Sequence, residues 1–120
     1  MSLRKVYLAK RVANEAVDGW LDDHAVIIDQ DRIESVLPGS HLPRDIAENA
    51  EVHNLGDVSL LPGLIDAHCH MHCSATANAL QHAMTDTDQQ LTMRAVTAMR
   101  RALLAGTTTI RDIGSRNDVA

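Results

Sequence analysis

Aromatic side chains are almost missing from this sequence. Its 120 residues hold Tyr7, Trp20 and no Phe, 2% of the chain. That excludes modules that stack bases on aromatic rings. A basic face is missing as well. Eleven Lys and Arg stand against 16 Asp and Glu, a formal charge of −5, which argues against a nucleic-acid partner. No apolar run approaches the ~18 residues of a membrane-spanning helix, so no membrane partner is expected. The opening Met1–Arg11 stretch lacks the apolar core of a signal peptide, and the expected location is cytoplasmic. Cysteine is scarce: Cys69 and Cys73 alone do not make a disulfide framework. There is no Gly-x-Gly-x-x-Gly, no P-loop and no Gly-x-Ser-x-Gly, so dinucleotide, nucleoside-triphosphate and serine-hydrolase readings have no support. What is there is a globular composition, 45% hydrophobic and 22% charged. Histidine is abundant, with seven residues.

The first sixty residues read as short strands. Val6–Ala9 is a brief apolar run, and His24–Ile28 is β-branched and apolar. The polar Asp29–Arg32 turn leads into Ile33–Leu37, which alternates with period two, so a hairpin is predicted. Pro38-Gly39-Ser40 breaks it. Arg44–Ala50 suits a helical turn or a loop, and Glu51–Asn54 and Val58–Leu61 suit two further strands. This half reads as a small antiparallel β unit. The pattern changes at Pro62-Gly63. Leu64–His68 is a short apolar strand, and a polar loop is expected from Cys69 to about Asp88. Leu91, Ala95, Ala98, Ala102 and Ala105 then form one stripe of an amphipathic helix. Gly106 is a natural stop for that helix, and Thr107–Asp112 reads as a strand. Strand, helix, strand implies a βαβ unit and a parallel sheet. Such a sheet needs both faces covered, so the chain reads as a segment of a longer protein.

Three histidines fall at alternate positions, His68, His70 and His72. On a strand, residues i and i+2 share a face, so His68 and His70 present two imidazoles side by side at the strand's end. Neutral imidazole is the commonest metal-ligand side chain and suits zinc. A His-x-His on a surface strand often holds nothing; its place at the end of an apolar strand leading into a βαβ unit favours a metal. Asp66 shares the parity of the two histidines. A carboxylate there costs free energy unless paired, and supporting a metal ligand would satisfy it. His72 reads as a loop residue near the site, able to touch a substrate. Reading His-Cys-His-Met-His-Cys as a structural zinc knuckle fails on spacing, which is too tight. Cys69 reads as a small buried hydrophobe, and Cys73 has no identified partner base. His82 falls in a loop that could cover the site. Arg111 and Asp112, at the end of the second strand, suit either a site or a structural ion pair.

Pro62-Gly63-Leu64-Ile65-Asp66-Ala67-His68-Cys69-His70 resembles the first-strand signature of the amidohydrolase superfamily. Ala105–Asp112 is similar to that superfamily's second barrel strand, and the hairpin ending in Ile33–Val36 is similar to its N-terminal β-sandwich. Within it, the imidazolonepropionase-like and Xaa-Pro dipeptidase-like branch is the nearest likeness. The resemblance implies an α/β fold: a (β/α)8 TIM-like barrel with an N-terminal β-sandwich domain. Residues 1–61 would be part of the sandwich and residues 62–120 the first β/α units. It also implies one or two divalent metal ions, by preference zinc, with His68 and His70 as first-strand ligands and a general-base Asp beyond residue 120. The implied activity is hydrolysis of a C–N bond, amide or peptide-like, by metal-activated water. The implied substrate is a small molecule or dipeptide-like compound, and the implied assembly a homo-oligomer. A mononuclear deaminase or cyclic-amide hydrolase of the same superfamily is the alternative enzyme. A non-catalytic assembly fragment is the alternative outside enzymes.

Overall fold

The computed structural model describes residues 4–119. They form a mixed α/β structure of two compact units, Met1–Pro62 and Gly63–Ala120. The first unit is one sheet. Strand β1 (Lys5–Ala13) lies between β2 (Trp20–Asp29) and β4 (Glu51–Asn54), and β3 (Arg32–Pro38) is on the outer side of β2. The two-residue strand β5 (Ser59–Leu60) also pairs with β1. The β2–β3 hairpin turns at Gln30, whose φ is 55°.

Three consecutive residues of β2, Ala25, Val26 and Ile27, are buried. Successive side chains on a strand point to opposite faces, so this sheet packs apolar residues on both sides. Ala25 and Ile27 join Val6, with Leu42 and Ile46 packed against them. Ile46 comes from the short helix α1 (Arg44–Asn49). On the other face Val26 joins Ala9 and Val12.

The expected antiparallel unit is in fact a mixed sheet. β1 pairs antiparallel with β2, but parallel with β4 and β5. The reason is α1. A hairpin can join only antiparallel neighbours, whereas the connection through α1 carries the chain back to start β4 alongside β1 in the same direction.

The second unit is built on two parallel strands, β6 (Leu64–Cys69) and β7 (Thr107–Asp112). Helix α3 (Asp88–Leu104) connects them and buries Leu91 and Ala95. Its start is fixed by a capping box: the Thr87 hydroxyl accepts from the Gln90 amide, and the Gln90 side chain accepts from the Thr87 amide. Its end is Gly106, which at φ 98° takes the left-handed conformation that a Cβ would disfavour. The loop expected over 69–88 contains a further helix, α2 (Ala79–Thr85). It buries none of its residues, so it lacks the apolar stripe by which a helix is seen in sequence. No helix among the described residues is long and apolar enough to cross a membrane.

Candidate metal centre

The C-terminal end of β6 carries the two candidate ligands. The His68 and His70 rings lie with centroids 5.6 Å apart, edge to face. Both side chains are exposed. His68 lies in β6 and His70 directly follows its last residue, Cys69, so strand alternation carried one residue further accounts for the pairing.

His70 is aimed by a partner far away in sequence. Its Nδ1 lies 3.1 Å from the Gly114 carbonyl oxygen. A carbonyl only accepts, so Nδ1 carries the proton and the free lone pair is on Nε2. A histidine that donates one ring N–H to a backbone carbonyl and offers its other nitrogen is the usual arrangement of a metal-bound imidazole. By donor chemistry and spacing, His68 and His70 therefore fit a divalent ion. Among the described residues no group of three or more His, Cys, Asp or Glu side chains could hold an ion, so the chain offers a pair and not a complete set.

Asp66 makes a different contact from the one its parity suggests. Its Oδ1 accepts from the His68 backbone amide at 3.1 Å, and so braces the strand at the ligand rather than the ring itself. His72 follows in a tight turn. Its ring is 6% exposed, its Nε2 lies 3.6 Å from Cys73 Sγ, and its Nδ1 has no partner among the described residues. The ring centroid is 6.3 Å from that of His70. His82 lies in α2, with Nδ1 2.8 Å from the Ser74 hydroxyl.

Cys69 is half-buried opposite Asp112 on β7. Burial, with Asp112 and Asp66 nearby, pushes its thiol above the ordinary range. The sequence reading of Cys69 as a small buried hydrophobe is thus met only in part, since the side chain is not fully buried.

Sequence patterns missed how the site is tied together. Asp112 is not in an ion pair with Arg111 among the described residues. Its Oδ2 accepts from the Met71 amide at 2.9 Å and its Oδ1 from the Gly114 amide at 3.0 Å. Burial raises its pKa, but these amides and nearby His72 outweigh burial, and the carboxyl lies below its usual range. Further along, Arg116 donates to the carbonyls of Ala83, Met84 and Asp86 and to the Asp88 carboxylate. It thus fastens the loop after β7 to the junction of α2 and α3. Both interactions span about forty or thirty residues, and no local pattern announces either.

Comparison with known proteins gives this geometry a context. Residues 59–120 match the amidohydrolase family, and residues 10–51 match the NagA composite domain. No curated relative matches the chain. Among solved structures, the chain is similar to the ochratoxinase of A. niger, with 21% identity and a TM-score of 0.76. That alignment covers 92% of this chain and 25% of the ochratoxinase. It is similar to a prolidase solved with N-methylphosphonate-L-proline, with 28% identity and a TM-score of 0.73 over 92% of this chain and 26% of the prolidase. It also resembles the guanine deaminase of E. coli, with 16% identity and a TM-score of 0.68 over 92% of this chain and 30% of the deaminase. The chain thus spans between a quarter and a third of the length of each of these structures. With more than half of its residues matched, the chain belongs to the amidohydrolase family.

Proposed function

We propose that this chain is the N-terminal, metal-holding segment of a hydrolase that cleaves a C–N bond in a small amide or dipeptide-like substrate. The observation that carries the reading is the His68–His70 pair, with Nε2 of His70 left free by the Gly114 carbonyl. Family membership supports it, and so does the 28% identity to a prolidase. Residues 62–120 would supply the first β/α units of a TIM-like barrel, whose active sites gather at the C-terminal ends of the strands. His68 and His70 lie at that end of β6. Residues 1–61 would be part of a β-sandwich. The sheet face bearing Tyr7, Ile28, Val36 and Leu60 is an apolar groove of about 310 Å³, the kind of surface that a second sheet covers.

His68 and His70 would hold the ion, zinc by the chemistry of its imidazole ligands. A divalent ion there supplies Lewis acidity for the scissile carbonyl and lowers the pKa of water toward neutrality. Asp66 keeps the His68 backbone in place through its amide, and the Gly114 carbonyl keeps His70 in one tautomer. The proton acceptor and the other ligands would be supplied by parts of the protein outside these 120 residues.

The test uses the protein made from its whole coding sequence. His68→Ala and His70→Ala should each lose at least one metal equivalent and most hydrolysis of a dipeptide panel. His72→Ala should keep its metal, since that ring is buried against Cys73. Full metal content and turnover in both of the first two variants would remove the assignment. Loss in His72→Ala alone would move the site by one alternation.

A further inference from the structure

We propose that Asp112 is a positioning residue for the metal centre: its carboxylate clamps the turn that follows His70 to the turn whose Gly114 carbonyl fixes that imidazole. The inference rests on the His68–His70 reading above.

The geometry is a closed cycle. His70 is joined covalently to Met71, and the Met71 amide donates to Asp112 Oδ2 at 2.9 Å. Asp112 Oδ1 accepts from the Gly114 amide at 3.0 Å. The Gly114 carbonyl closes the cycle by accepting from His70 Nδ1 at 3.1 Å. A fourth contact, from the Ile113 amide to the Cys69 carbonyl at 3.2 Å, runs between the same two turns. Each oxygen of the carboxylate thus holds one of the turns that must stay in register for the ring to keep its tautomer.

The charge matters as well as the shape. A carboxylate accepts on both oxygens, and here both face backbone N–H groups. Asparagine has the same outline but only one accepting atom. Its NH2 group would face an N–H donor, and one of the two turns would come loose. Groups that orient a metal-bound histidine typically contribute ten- to a hundredfold to metal affinity.

The experiment compares wild type, Asp112→Asn, Asp112→Ala and His70→Ala, each made from the whole coding sequence and stripped of metal. Zinc affinity is read by competition with a chelating indicator, and the melting of each metal-free form is recorded beside it. The expected result is zinc binding about ten- to a hundredfold weaker in both Asp112 variants. Wild-type zinc affinity in folded Asp112→Asn, with only its melting lowered, would show a purely structural role and overturn the inference. Wild-type zinc affinity in His70→Ala would instead overturn the underlying site, so the two failures are distinct. Where neither Asp112 variant folds, 15N-histidine NMR of the zinc-loaded wild type decides. His70 protonated at Nδ1 and metallated at Nε2 supports the cycle, and metallation at Nδ1 breaks it.

Discussion

Gly63 has no room for a side chain. A Cβ built there would collide with the Thr108 side chain of the neighbouring strand, lying 2.7 Å from its Cβ and closer still to its Oγ1 and Cγ2. β-Branched Thr108 has one stiff χ1 and little freedom to retreat. Gly63→Ala should therefore cost about 1–3 kcal/mol by overpacking, read from the urea midpoint. An unchanged midpoint would mean that the strands separate freely at this point. The acidic residues give a second expectation. Arg116 and Asn117 hold the Asp88 carboxyl below its usual range, and Asp112 is low for the reasons given above. A carboxylate whose folded pKa is depressed adds stability that is fully present above its unfolded pKa of ~3.9. That stability is lost as pH falls through the lower folded value. Melting temperature should thus decline as pH drops below about 4, and decline less in Asp112→Asn. Identical acid limbs for the two proteins would show that Asp112 carries none of it. At this scale the adjacency of the His68 and His70 rings was legible in the sequence, because period-two alternation is local. The sequence did not announce Asp112 as a brace, because its partners are 41 residues back and two residues ahead.

The elements divide by whether they carry a repeating apolar signal. β2, β3, β6 and β7 are β-branched or alternating, and α3 has its small-residue stripe, so each is readable from composition and period. β1 extends well past the four residues first marked, because its later residues pair with Trp20–Asp22 and β5. α2 has no buried residue and gives no such signal. The parallel partner of β1 is unreadable for another reason: which strand returns beside it depends on α1, a tertiary fact. The capping box at Thr87-x-x-Gln90 is a local sequence signal, and the acidic Asp86 just before it is not the cap. Asp86 instead serves Arg94, whose Nε lies 2.6 Å from its Oδ2. Thr87→Ala removes the accepting hydroxyl and should cost about 1 kcal/mol. Circular dichroism through a melt would show it as earlier fraying of α3. An unaltered melt would mean that the Arg94 and Arg116 contacts alone hold the start of the helix.

For the chain as a whole, exposed apolar surface sets the expectation. On the second unit Ile65 is 72% exposed and Leu104 72%, with Leu64, Val96 and Leu103 also open. A two-stranded parallel sheet cannot hide such residues, and patches of this kind drive association. The 120 residues produced alone should self-associate in sedimentation. A monomer with a single cooperative melt would show that this segment is sufficient to itself. The link from His70 to Gly114 has a further consequence, one of timing. His68 and His70 are two residues apart, so the ribosome delivers them together. The carbonyl that aims one of them is 44 residues further on. At ~5–20 residues per second the Gly114 carbonyl is synthesised several seconds after His70. During that interval the histidines are free to turn. The fixed tautomer of His70 is therefore a property of the folded protein and not of the emerging chain.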